Sequence, residues 1–273
     1  MAQAEHESPT DADPESEWFG AKPVAPEEKT RLVQGVFAAV AWRYDLMNDV
    51  MSAGLHRYFK NRLVELMDPR PGQVILDVAG GTGDVALRCA RRTHGMAKIT
   101  VCDLNAAMLE AGRAKAAGKG GLYGIEWITG DAEDLPLSDG SVDIYSIAYG
   151  LRNVTHIDRA LREAARVLRP GGHFCCLEFT PGVRRGLKPV FDAYCSHVMP
   201  LLGQWITKDG DAYRYLAESI RSFPDKAILA RRIEAAGLSE TRWIDLLGGI
   251  SVIHEARRVQ GATDPGALQA VSC

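Results

Sequence analysis

The chain has 273 residues, 46% apolar and 25% charged, enough to bury a full core as one large domain or two small ones. Its net charge of -3 is uneven: residues 1–17 hold six acids and no Lys or Arg, which leaves the remainder weakly basic, without the clustered basic face that nucleic-acid binding needs. No run approaches the roughly 18 apolar residues of a membrane span, and Cys89, Cys102, Cys175, Cys176, Cys195 and Cys273 form no C-x-x-C pair or metal-ligand spacing.

With no apolar leader apparent, those cysteines are expected as reduced, mostly buried thiols. Residues 1–17 read as a disordered acidic tail, of the wrong sign for a mitochondrial transit peptide. Pro23 and Pro26 precede an expected helix from Glu27 to Val40, where Val33, Val36, Phe37 and Val40 fall on one face. A second amphipathic helix spans Leu55 to Met67 and ends at Asp68-Pro69-Arg70-Pro71-Gly72. Short apolar runs then alternate with helix-length segments. Strands are expected at Val74–Val78, Ile99–Cys102, Ile125–Ile128, Val142–Ala148 and Phe174–Phe179, with helices at Val85–Arg92, Ala106–Ala117 and Ile157–Leu168 between them. That alternation signals βαβ units and a parallel sheet. Helices at Leu187–Leu202 and Asp225–Ala236 follow, then strands at Thr241–Leu246 and Ile250–Glu255. Gly248-Gly249 between the last two is short enough for a hairpin, so the final strand should run antiparallel near an edge.

The most informative stretch is Val74-Ile-Leu-Asp77-Val-Ala-Gly80-Gly81-Thr82-Gly83-Asp84, an apolar strand running through glycines into a helix. Gly81-x-Gly83-x-x-Ala86 matches a dinucleotide turn, which alone is a weak signal. A pyrophosphate would need the positive end of the following helix. Asp84 places a carboxylate there, and no basic residue between Asp77 and Leu87 offsets it. The turn therefore suits a cationic ligand, and S-adenosylmethionine carries a sulfonium and an ammonium but no phosphate; Asp77 is assigned to its ammonium end. Asp103, after the second strand, can accept from ribose hydroxyls, or with Asn105 can cap the next helix. Asp131 and Ala132, after the third strand, fit an adenine edge or form only a turn.

Taken together, Tyr44-Asp-Leu-Met-Asn-Asp49, Leu76-Asp-Val-Ala-Gly-Gly-Thr-Gly-Asp84, Tyr149-Gly-Leu-Arg-Asn153, Arg166-Val-Leu-Arg-Pro-Gly-Gly172 and Tyr213-Arg-Tyr-Leu-Ala-Glu-Ser219 resemble the ubiquinone/menaquinone biosynthesis C-methyltransferase family of class I methyltransferases. The resemblance runs from Phe19 to Arg258. It implies an α/β, Rossmann-like class I methyltransferase fold with a mostly parallel seven-stranded sheet, an antiparallel strand near one edge, N-terminal helices and a helical insertion. The expected organisation is a single domain over 18–258: a helical lid (18–70), a cofactor-binding core (71–180), a substrate-covering insertion (181–222) and a C-terminal helix and strands (223–258). A flexible tail (259–273) follows.

The resemblance also implies that S-adenosylmethionine is held by Thr82, Asp103, Asp131 and Ala132, beside Asp77, Gly81 and Gly83. The methyl acceptor is a ring carbon of a polyprenylated benzoquinol, a demethylmenaquinol, or both. Arg152 and Asn153 are the catalytic candidates: a guanidinium keeps its proton, so Arg152 should stabilise phenolate charge or orient water. The alternative pairs Arg152 with a nearby carboxylate and leaves Asn153 as a cap. Tyr44 and Asn48 are expected in a lid, with Tyr149 and Tyr213 on the substrate side. His56, His197 and His254 are not favoured as bases, and no metal is expected. Expected partners are the prenylated quinol, a quinone-synthesis complex, a transient membrane-surface contact and a second copy in a homodimer, at a cytoplasmic location peripheral to the inner membrane. Phe59, Thr180 and Ala148 depart from the family's usual Trp, Ser and Ser, and only Ala148 touches the cofactor site. Competing readings are another lipophilic methyl acceptor and a non-catalytic cofactor-binding subunit.

Overall fold

The computed structural model describes residues 17–19, 22–24, 26–52, 54–118, 124–184 and 218–259, with isolated positions between 186 and 194. Its elements are β1 (Glu17–Phe19), β2 (Lys22–Val24), α1 (Pro26–Val40), α2 (Tyr44–Ser52), α3 (Leu55–Met67), β3 (Val74–Val78), α4 (Asp84–Arg92), β4 (Lys98–Asp103), α5 (Ala106–Gly118) and β5 (Glu126–Thr129). Then follow β6 (Val142–Ala148), α6 (Ile157–Val167), β7 (Leu168–Phe179), α7 (Lys226–Ala235), β8 (Leu238–Leu246) and β9 (Ser251–Arg258). The seven-stranded sheet runs β5-β4-β3-β6-β7-β9-β8, parallel except for β9, which is antiparallel to both neighbours. Leu247–Gly249 closes the β8–β9 hairpin, as the glycine pair predicts.

Strand alternation sends successive residues to opposite faces. Leu76, Val78, Tyr145, Ile147, Phe174 and Cys176 pack with Leu161 and Ala164 of α6 and Leu229 and Ile233 of α7. Ile75, Ile144, Cys175 and Leu177 pack with Phe59 and Leu63 of α3 and Val85 and Cys89 of α4. The result is three layers, with the sheet in the middle. Among the described cysteines, Cys89, Cys102, Cys175 and Cys176 are buried free thiols; Cys195 and Cys273 lie outside the described residues.

Three differences from the sequence reading are informative. The hairpin of β1 and β2 begins inside the expected tail and lid, and its three-residue strands are too short to show an alternation. Strand β7 starts at Leu168 and not at Phe174. Leu168 pairs with Val142, and His173 pairs with Ile144, so Arg169–Gly172 loop out opposite Asp143. Lastly, the row Thr30, Val33, Gln34 and Phe37 of α1 faces a cleft, so the face that carries Val33 and Phe37 holds polar residues as well; the side chains of Val36 and Val40 lie outside the described residues. The expected helix Leu187–Leu202 and the motif Tyr213–Ser219 fall largely outside the described residues.

The turn from β3 into α4 depends on Trp127 of β5. A Cβ on Gly83 would stand 2.4 Å from the indole, and one on Gly112 of α5 would stand 2.3 Å from it. Gly83 also has φ +70°, in the left-handed region. Gly83→Ala is expected to cost on the order of 3 kcal/mol of stability, from overpacking and backbone strain together. Adding Trp127→Leu should restore part of it. Urea denaturation of both variants checks this, and a Gly83→Ala protein as stable as the parent would contradict it.

Candidate active site

The strand order reverses between β3 and β6, and ligands of open α/β sheets bind outside the carboxyl ends of strands at such a point. A cleft of about 1040 Å³, its open mouth included, lies there. Its floor comes from Gly80, Gly81, Thr82 and Asp84 after β3, Asp103 and Asn105 after β4, Asp131 and Ala132 after β5, and Ala148, Tyr149 and Asn153 at and after the end of β6. The face of α1, Tyr44 of α2 and Lys60 of α3 roof it.

Asp103 accepts the Gly81 N–H at 2.8 Å and the Asn105 N–H at 2.8 Å. It thus braces the glycine turn while facing the cleft. Burial raises its carboxyl above the ordinary value, and the two backbone bonds counter part of that. The cap of α5 is Asn105, whose side chain accepts from Ala107 and Met108 at 3.1 and 3.2 Å. Asp131 accepts the Glu133 N–H at 2.9 Å, and so forms a turn and still lines the cleft. The Thr82 hydroxyl donates to Asp45 of α2 at 3.0 Å, which ties α2 to the turn. Tyr44 lines the cleft against Phe37; Asn48 does not line it, and its carbonyl accepts from Ser52 at 2.6 Å. Tyr213 lies outside the described residues.

Three expectations need correction. Asp84 is not uncompensated: Lys60 and Arg88 each lie 3.2 Å from it, and Lys115 of α5 lies 3.9 Å away. Burial opposes its charge, but Lys60, Arg88 and Lys115 outweigh burial and hold its carboxyl well below the usual carboxylate range. Two of the three come from α3 and α5, far from the turn in sequence, so a local charge argument missed them. Asp77 does not line the cleft either. It is 1% exposed beneath the turn, where Ser146 donates to it at 2.8 Å and its other oxygen has no hydrogen-bond partner. Gly83 likewise serves packing on Trp127 rather than the cleft wall.

The segment after β6 is tightly stapled. Tyr149 takes φ +59°, costly for an aromatic residue, and is held by its hydroxyl at 3.1 Å from Ser251 and by the tilted ring of Phe179, 4.5 Å away centre to centre. Arg152 pairs with Glu178 of β7 at 3.0 Å, both nearly fully buried, and also donates to the Tyr149 carbonyl. Glu178 accepts the Arg152 backbone N–H as well, at 3.2 Å. The guanidinium does not line the cleft, whereas Asn153 does. Glu178 is one residue to which sequence reading gave no role; its place at the end of β7, beside β6, is the signal that could have found it. No described histidine lines the cleft. His56 bonds Ser52 at 2.8 Å, His254 bonds the Lys226 carbonyl at 2.9 Å, and His197 lies outside the described residues.

The profile of the ubiE/COQ5 methyltransferase family matches residues 24–258. The chain belongs to that family. A ubiquinone/menaquinone biosynthesis C-methyltransferase of Caulobacter sp. (strain K31) is 47% identical over 245 residues, 87% of this chain and 96% of that protein. The mitochondrial 2-methoxy-6-polyprenyl-1,4-benzoquinol methylase of Danio rerio is 42% identical over 269 residues, 86% of this chain and 82% of that one. Among solved structures, a SAM-dependent methyltransferase of Aquifex aeolicus is similar with a TM-score of 0.54 at 16% identity, over 73% of this chain and 89% of that one. At that identity the likeness speaks for the fold alone.

The cofactor is S-adenosylmethionine, and the cleft fits it. Asp103 and Asp131 offer carboxylate acceptors for hydroxyl and amine donors, Leu104 and Met108 offer apolar contact for a purine, and Lys60 brings a cation. Ala148 brings no hydroxyl to the cleft.

Asp77 makes the apo protein sensitive to pH. Burial pushes its carboxyl up to about 7, against the Ser146 bond and the Lys60 charge. Between its ordinary value near 3.8 and about 7, the folded state holds a proton that the unfolded state has released. Stability should therefore fall as pH rises through that window. Asp77→Asn keeps the shape and does not titrate, so the variant should gain on the parent between pH 4 and 7 by on the order of 4 kcal/mol. Denaturation midpoints across that range check it; parallel curves would contradict it.

Proposed function

We propose that the chain transfers a methyl group from S-adenosylmethionine to a ring carbon of a polyprenylated benzoquinol, a demethylmenaquinol, or both. One observation carries the reading: a single cleft joins the acceptors Asp103 and Asp131 to an amide donor, Asn153, under an apolar roof of Val33 and Phe37. When bound, the cofactor supplies an electrophilic methyl group on a sulfonium. Asp103 and Asp131 hold its adenosine end. The roof excludes water. Ring carbon becomes nucleophilic when a hydroquinone hydroxyl loses its proton, and a free phenol titrates near 10, as for Tyr. In this reading the amide of Asn153 donates to that oxygen and favours its anion. Arg152 is assigned a positioning role: through Glu178 and the Tyr149 carbonyl it fixes the backbone that presents Asn153.

The prenyl tail of the acceptor partitions into lipid, so transient contact with a membrane surface belongs to this reading. Trp42, Leu46 and Val50, spaced four apart along the lid, are all exposed, with Leu55 and Tyr58 beside them in sequence on α3, which supports it. No described helix is long and apolar enough to cross a membrane.

Purified protein incubated with trideuteromethyl-labelled cofactor and a reduced polyprenylated benzoquinol should give a product with the label on ring carbon, read by mass spectrometry and NMR. Label on oxygen, or no transfer to either quinol class, would overturn the acceptor. For Arg152, a double-mutant cycle distinguishes the roles. Acting through Glu178, Arg152→Lys and Glu178→Gln should each lower kcat by about 10–100-fold, and the pair together no further. A normal rate in Glu178→Gln with a large loss in Arg152→Lys would put the guanidinium on the substrate.

A further inference from the structure

Lys60 of α3 is 7% exposed, yet it lines the cleft. Its Nζ lies 3.2 Å from Asp84, its one ion-pair partner among the described residues. An ammonium has three N–H donors, and a buried one with a single partner leaves donors unsatisfied. Asp84 does not depend on it alone, since Arg88 lies at 3.2 Å and Lys115 at 3.9 Å. Lys115 in turn reaches Asp45 at 2.5 Å. Three cations therefore face two carboxylates. Of the other acids nearby, Asp49 is bound to Arg57, and Asp77 lies beneath the turn, where burial favours its neutral form. This end of the cleft carries a positive excess, and Lys60 is the cation of the three that lines it.

The remainder of the floor has the opposite character, with the acceptors Asp103 and Asp131. S-adenosylmethionine has donor hydroxyls and an amine on the adenosine, and at the methionine end an α-carboxylate, its one anion, beside an α-ammonium; Lys60 and Asp84, which both line this end of the cleft, offer a cation and an acceptor for that pair. We propose that Lys60 receives this α-carboxylate, and that it makes the site selective for the intact cofactor over the same molecule without the carboxylate. The inference rests on S-adenosylmethionine as cofactor and is independent of the methyl acceptor.

The test is calorimetric titration of S-adenosylmethionine and of decarboxylated S-adenosylmethionine, which differ by the carboxylate, into the parent, Lys60→Met and Lys60→Arg. The parent should bind the intact cofactor about 10–100-fold more tightly, the range for a hydrogen bond to a charged group. Lys60→Met should lose that preference by weakening the intact cofactor alone, and Lys60→Arg should keep most of it. If Lys60→Met does not fold, as judged by its melting temperature, Lys60→Gln, neutral but still a donor to Asp84, carries the same comparison. Equal weakening of both ligands would show that Lys60 acts only through Asp84 and the turn, and would overturn the proposal. So would an unchanged preference. A parent protein that binds neither ligand would overturn the cofactor reading itself.

Discussion

The site depends on one constraint: β3 must pass the chain to α4 within five residues, in a conformation that side chains resist. Ala79, Gly81 and Gly83 all have positive φ, and Trp127 fills the space behind the turn. The turn is held from four directions. Asp103 takes the Gly81 N–H, Asp45 takes the Thr82 hydroxyl, Asp77 lies beneath, and the Trp127 ring lies behind. Of these four groups Asp103 is the one that also lines the cleft, so its carboxylate is oriented there by the turn itself.

Charge at the cleft is organised by tertiary structure and not by the motif. Asp84 stands at the start of α4, where a carboxylate also suits the helix dipole, and helices from both sides bring cations to it. Because Asp45 bridges Thr82 and Lys115, α2 is coupled to the core through Thr82, which lines the cleft, and through Lys115 of α5. The same economy recurs after β6, where the buried Arg152–Glu178 pair fixes the strained Tyr149 turn. A buried pair of this kind adds little net stability, and removing one partner leaves the other uncompensated. Its contribution is to geometry.

Much of the fold was legible because the strands are apolar, short and separated by helix-length segments; Val74–Val78 and Val142–Ala148 match to the residue. Asp103, Asp131, Ala132 and Thr82 were found because each follows a strand end or the glycine turn, where chain position alone places a side chain at the cleft. Lys60, Lys115 and Glu178 were not. They reach the site from the body of a helix or the end of a distant strand, and local spacing carries no record of which helix packs on which turn. Asp77 shows the converse. It lies one residue before the end of β3, whereas Asp103 is the last residue of β4, and the glycine turn folds over it and seals it from the cleft.

The proposed function depends most directly on Asp103 as the ligand anchor in the cleft. Titration of S-adenosylhomocysteine, which retains the ribose and the methionine end, into the parent and into Asp103→Ala measures it. A folded Asp103→Ala protein should bind about 10–100-fold more weakly, with the loss appearing in enthalpy as well as in affinity. Unchanged affinity in a folded variant would mean that the ribose lies elsewhere, and the cleft between the ends of β3, β4 and β6 would not be the cofactor site.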